Sequence, residues 1–267
     1  MKEEKEMSFL EHLEVLRWHL IRSFLVVFLF SIISFIFKDI IFDSILLAPK
    51  NVDFPTYIAL CNISQFLGFG DILCLKKSPF TLMNINMSGQ FSAHILVSLY
   101  AGFIISFPYV FWEFWSFIKP AFYKSEARLA RGIVFFSSSL FILGVLFGYY
   151  VIAPLSVNFL GSYQVSSTVA NQISLTSFVT TVTTVCFANG IIFELPILTY
   201  FLTKIGLLSA DFMRSYRKHS LVLILILSAI ITPPDIISQI LVALPLLVLY
   251  ELSIKISERV IRKQAEK

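Results

Sequence analysis

The sequence predicts an all-α membrane protein with six transmembrane helices, on three observations. Of its 267 residues, 57% are hydrophobic and 28 are Phe, and the mean hydropathy is +0.82, far from the mix of a water-soluble domain. The apolar residues fall in runs that approach or exceed the roughly 20 helical residues needed to cross about 30 Å of hydrocarbon. Of the 21 Lys and Arg, seventeen lie in the N-terminal segment, the loops after spans two and four, and the C-terminal tail, against four in the first loop. That bias places both termini in the cytoplasm. The net charge of +4 says less than this sorting does.

Residues 8–20 read as an N-terminal amphipathic turn. Ser8 and Glu11 fit a capping box, Phe9, Leu13, Leu16 and Leu20 share one face, and Glu11, Glu14 and Trp18 form another. The first span, about 21–37, is too long for a signal-peptide core and has no cleavage site. Residues 38–88 form a long extracytoplasmic loop punctuated by Pro49, Pro55, Gly68, Gly70 and Pro79, with a short surface helix drawn from its apolar pieces. Cys61 and Cys74 in this loop pair if it faces an oxidising compartment; two free cysteines are the alternative.

The second span covers about 91–115, with Pro108 inside it and Tyr109, Trp112 and Trp115 at its end like an aromatic belt. A basic segment, 119–131, follows. The third span covers about 133–157, and Gly144 and Gly148 fit a small-xxx-small packing pattern. A polar loop at 161–172 leads to the fourth span within 173–203. After a basic loop at 204–218, residues 220–231 and 236–252 flank Thr232-Pro233-Pro234-Asp235. These last two helices are short, since the fourteen or so residues before the prolines reach only about 21 Å, so they thin the bilayer or form a re-entrant hairpin. Residues 253–267 are a charged cytoplasmic tail, and 1–267 is a single six-helix domain.

No Cys/His cluster has metal-ligand spacing, and no P-loop, Gly-x-Ser-x-Gly elbow or dinucleotide fingerprint occurs. The expectation is therefore no enzyme chemistry, no cofactor, no metal and no nucleic acid, with energy drawn from the membrane or a partner. The chemistry that stands out is acidic. Glu194 lies roughly 15 Å deep in its span, near mid-membrane, where an acid costs about 3 kcal/mol unless paired, protonated or wetted. Pro196 loosens the helix beside it. Glu194 is either functional or hydrogen-bonded to a packed group such as Asn189. Glu11 and Glu14 in the N-terminal turn, and Glu126 after span two, are either solvated charges or a site for guanidinium groups. Asp235 reads as a turn cap beside Gln239, and His12, His19, His94 and His219 as interface or loop residues. A proton-coupled small-molecule transporter using Glu194 is the rival reading, but the chain lacks the internal symmetry such folds show. A scaffold in a membrane complex is another.

Four motifs in order carry a resemblance: His12-Leu-Glu-Val-Leu-Arg17, Phe117-Ile-Lys-Pro-Ala-Phe-Tyr-Lys-Ser-Glu126, Phe193-Glu-Leu-Pro196 and Thr232-Pro-Pro-Asp-Ile-Ile-Ser-Gln239. Together they resemble TatC, the multi-spanning core of the twin-arginine, Sec-independent protein translocase of the cell inner membrane. The resemblance covers nearly the whole chain. It implies a concave six-helix bundle that binds twin-arginine signal peptides of folded proteins. It also implies self-association, assembly with single-span TatA- and TatB-type proteins, and export driven by the proton-motive force. Glu126 then matches the loop glutamate that receives arginine, and Phe117, Pro120 and Tyr123 match the signal-reading loop. Glu194 matches the intramembrane glutamate, while Gln239 and Thr232, with Asp235 between them, match the region near a partner-docking surface. Position 15 departs from the pattern, being Val where the family carries the second glutamate. Glu11, about 40° around the helix from it, or Glu14, about 100° away, substitutes. Glu14 is the first choice because it is nearer the membrane and the loop.

Overall fold

The computed structural model describes residues 9–68, 70–72, 74–75, 80–118, 130–166, 168, 171–232 and 236–265. Its elements in order are α1 (Phe9–Ile36), a π-helical turn (Ile40–Leu46), a 3-10 turn (Ala48–Lys50), α2 (Pro55–Phe66), β1 (Thr81–Met83), α3 (Gly89–Ile118) and α4 (Ala130–Phe147). There follow a second π-helical turn (Gly148–Ile152), α5 (Ala153–Ser162), β2 (Gln172–Ser174), α6 (Leu175–Ile192), α7 (Leu195–Lys204), α8 (Ala210–Ser215), α9 (Arg217–Ile231) and α10 (Ile236–Ala265). Among the described residues, five stretches are long and apolar enough to cross a membrane: Glu11–Ile36, Gly89–Ile118, Gly132–Ser162, Leu175–Lys204 and Ser238–Gln264. The chain divides into two compact units, residues 1–37 with 97–139, and residues 38–96 with 140–267.

The first unit is built on α1. The sequence separates an amphipathic turn from the first span, but the helix runs unbroken from residue 9 to residue 36, because no Gly or Pro interrupts it. The capping residue Ser8 lies outside the described residues. Leu13, Leu20, Phe24, Phe28 and Ile36 are exposed, whereas Ser31 and Ser34 are buried. A helix in hydrocarbon gains nothing by hiding leucine, so small polar residues make the close contacts instead. A Cβ on Gly102 of α3 would lie 2.6 Å from the Ser31 nitrogen and 2.7 Å from its Cα, so glycine is needed where these two helices cross.

In the second unit the glycine signal in span three marks tight packing of α4 and the π-helical turn on α6. A Cβ on Gly144 would meet the Asn189 carbonyl at 2.5 Å, and one on Gly148 would meet the Cys186 Cα at 2.9 Å. Gly190 returns the contact, since its Cβ would meet Phe141 and Val145 side chains at 2.8 Å. Pro154 has no N–H to offer the carbonyl four residues earlier, Tyr150. The Thr56 hydroxyl of α2 donates to that carbonyl instead. Next to it the Tyr57 hydroxyl donates to the Pro154 carbonyl at 2.8 Å and lies 3.0 Å from the Pro49 carbonyl. Burial raises the pKa of this phenol well above its ordinary value. The middle of α2 is tied by a disulfide between Cys61 and Cys74. Residues 81–83 and 172–174 add a short parallel ladder to the helical fold, with Leu82 opposite Ile173.

The end of the chain departs from expectation. The fifteen residues of α9 rise about 22 Å and are short, as the sequence predicts. α10 is not short: its helix has 30 residues and carries on through the segment that reads as a charged tail. The reason is local packing. Ile254 is buried with Ala210 and Met213, the Thr203 hydroxyl donates to Ser257 at 3.0 Å, and the Gln264 amide reaches the Lys204 carbonyl at 3.1 Å. Arg214 pairs with Glu258, and Arg217 with Glu251 at 2.9 Å. Composition alone shows charges there; it does not show Ile254 buried against α8 and Ser257 bonded to α7.

Candidate functional site

Where α1 begins and α3 ends, the first unit gathers ionisable and aromatic side chains. His12 stacks on Phe117 with ring centroids 4.6 Å apart and an interplanar angle of 26°. His19, on the same face of α1 because seven residues make almost two turns, meets Phe117 edge-on at 6.2 Å. His19 Nδ1 donates to Glu113 Oε2. Tyr109, one turn earlier on α3, donates its hydroxyl to Glu113 Oε1 at 2.7 Å. Both carboxylate oxygens are therefore occupied, the residue is 6% exposed, and Arg22 lies within electrostatic reach. Glu113 sits five residues before the end of α3, roughly 8 Å along its axis.

His12 and His19, which read from the sequence as interface or loop residues, each have a defined partner on α3. Glu113 is a residue that the sequence reading passes over. The signal that finds it is the one applied to Glu194, a lone acid among the apolar residues of a span. Here the flanking Trp112 and Trp115 draw attention to the interface instead. Glu11 and Glu14 are both exposed. Measured from the face of His12, Glu11 lies about 100° around the helix and Glu14 about 160°. Phe117 is in the cluster, whereas Pro120, Tyr123 and Glu126 lie outside the described residues.

The second unit holds the other acid. α6 stops at Ile192 and α7 starts at Leu195, so Glu194 occupies the junction and Pro196 the first turn of the new helix. The break is the one Pro196 implies, because it leaves the carbonyl four residues back without its usual donor. The Glu194 carbonyl starts α7 by accepting from Ile197 and Leu198 at 3.0 and 2.9 Å. The Asn189 amide donates to the Val185 carbonyl at 2.8 Å, within its own helix. Phe193 packs on Phe147 at 5.8 Å and, with Leu195, against a core of Ile152, Val185, Val242 and Leu246.

Gln239 ties α10 back to α9, and Thr232 finishes α9 at its C-terminal end. The Gln239 amide donates to the Leu225 carbonyl at 3.1 Å and the Thr232 hydroxyl to the Ser228 carbonyl at 2.8 Å. Ser238 fixes the hairpin to α5 by its 2.6 Å contact with Ser156. Asp235 lies outside the described residues. Among the described residues, no group of three or more His, Cys, Asp or Glu is placed to hold a metal ion.

Comparison with known proteins gives concordant results. Residues 11–245 match the family model described as Sec-independent protein translocase protein (TatC). A Sec-independent protein translocase protein TatC from Blattabacterium sp. subsp. Periplaneta americana is 41% identical over 272 residues, covering 99% of this chain and 100% of that one. A crystal structure of the twin-arginine translocase receptor TatC superimposes with a TM-score of 0.72 at 32% identity, covering 94% of this chain and 100% of that chain. A second one, in DDM, gives 0.74 at 33% identity, with 92% and 99% coverage. Sequence, fold and the four motifs converge, and this multi-pass membrane protein belongs to the TatC family of Sec-independent protein translocase components.

Proposed function

We propose that this chain is the receptor subunit of its translocase and binds the paired arginines of signal peptides on folded cargo. Glu126 takes one guanidinium and an acid of the first helical turns takes the other, as bidentate carboxylate pairs. The observation that carries the reading is the stack of His12 on Phe117, which joins the N-terminal motif to the first residue of the signal-reading loop. Pro120 and Tyr123 extend that loop. Sequence order favours Glu14 as the second acceptor, but Glu11 lies nearer the helix face that meets α3 and is preferred in this proposal. Glu194, at the broken helix, engages the signal peptide's hairpin or a polar group of a partner helix. Gln239, Thr232 and Asp235 lie at the hairpin where TatA- and TatB-type single-span partners dock.

The membrane is the cell inner membrane, with both termini cytoplasmic and the proton-motive force as energy source. The distribution of Lys and Arg supports this orientation. So does the Cys61–Cys74 disulfide, which fits an oxidising compartment around the 38–88 loop. The test is export of a twin-arginine reporter. Glu126→Gln abolishes export while the protein stays inserted, and a photocrosslinker at position 126 captures a signal peptide with paired arginines and not one with paired lysines. Normal export by Glu126→Gln sinks the proposal.

A further inference from the structure

We infer that Tyr109, Glu113 and His19 form a positioning site that sets the register of the arginine-reading acids, an inference that rests on the receptor reading above. Glu113 is 6% exposed and lies inside a membrane-spanning helix, so its charge needs partners within the protein. It has them on both oxygens, Tyr109 from its own helix and His19 from α1. The His19 contact bridges 94 residues of sequence and is polar, so its geometry is directional. A purely apolar contact between α1 and α3 tolerates rotation and sliding of one helix on the other; a hydrogen bond to a buried carboxylate does not.

Phe117 makes the fixed register matter. It lies one turn beyond Glu113 and touches both histidines, so the ring that starts the signal-reading loop is held by the same face of α1 that the carboxylate holds. The rotation of α1 about its axis decides where Glu11 points, and the His19–Glu113 contact decides that rotation. A twin-arginine peptide needs two carboxylates at one separation, because guanidinium pairs are bidentate and planar. A lysine pair, binding as two flexible point charges, tolerates loose acids. The site therefore acts on discrimination between arginine and lysine, not on affinity for cations in general.

The experiment uses the full chain in lipid nanodiscs and fluorescent signal peptides carrying either paired arginines or paired lysines. The wild-type protein binds the arginine peptide tighter by roughly tenfold or more. Glu113→Gln and His19→Gln lose most of that preference through weaker arginine-peptide binding, with lysine-peptide binding and thermal unfolding close to wild type. Tyr109→Phe, which leaves the inter-helix contact in place, has a smaller effect, about threefold or less. The exchange His19→Glu with Glu113→His restores the preference. Wild-type discrimination in Glu113→Gln overturns the positioning site while leaving the receptor reading intact. Failure of the wild-type protein to discriminate overturns the receptor reading. If the single variants do not insert and the exchange does not rescue them, the cluster is a folding element and the inference is wrong.

Discussion

The Tyr57 hydroxyl shows how much one buried polar atom settles. It lies between two proline carbonyls that belong to different parts of the second unit, so it holds α2 to the top of the third membrane-spanning stretch. Tyr57→Phe keeps the ring and strands the carbonyls, and is expected to lower stability by about 1–2 kcal/mol in thermal or denaturant unfolding. Burial raises this phenol's pKa, so its contribution is fully present below the ordinary tyrosine value of about 10 and is lost as pH rises beyond it. Unfolding followed between pH 8 and pH 11 should show alkaline destabilisation that is weaker in Tyr57→Phe. Gly144 makes the complementary point. Gly144→Ala drives a methyl group into the Asn189 carbonyl and the Cα of Gly190, backbone that cannot turn aside, at an expected cost of about 1–3 kcal/mol. At this scale the sequence is legible where the chemistry is local. Pro196 beside Glu194 announces a broken helix, and the glycine spacing announces close packing. It is silent about Glu113 because the partner that explains that acid is 94 residues away on another helix.

Elements follow the same division. The apolar runs identify the membrane-spanning helices, since length and hydropathy are properties of a segment by itself. Their ends are less legible. α1 absorbs the amphipathic turn that precedes it, and α10 absorbs the charged segment that follows it, because helix propagation needs only good helix formers and a surface to lie on. The surface for α10 is the pair α7–α8, and α7 ends there in a Schellman-type turn. Gly206, at φ +79°, takes the left-handed position, and the Leu207 N–H bonds the Leu202 carbonyl at 2.9 Å. The disulfide belongs to this scale too. It closes a separation of 13 residues, and Cys61→Ser with Cys74→Ser should cost about 2–3 kcal/mol, read as a lower unfolding midpoint under non-reducing conditions. The exposed pair Arg217–Glu251 contributes little, about 0–1 kcal/mol, so Arg217→Ala is expected to leave the midpoint almost unchanged.

For the whole molecule, charge sorting and the disulfide predict one topology. With the chain in right-side-out cells, Lys50→Cys is labelled by a membrane-impermeant maleimide, and Lys263→Cys is labelled only after permeabilisation. The opposite pattern reverses the orientation argued from Lys and Arg. α10 is the longest element at this end of the chain. It runs from the Gln239 end of the hairpin to residue 265, and 30 helical residues extend about 45 Å. Such a rod behaves as a stiff lever: an event that tilts its membrane-embedded end by a few degrees swings its far end through several ångströms. A spin label at position 262 is thus a natural place to read small tilts of this helix.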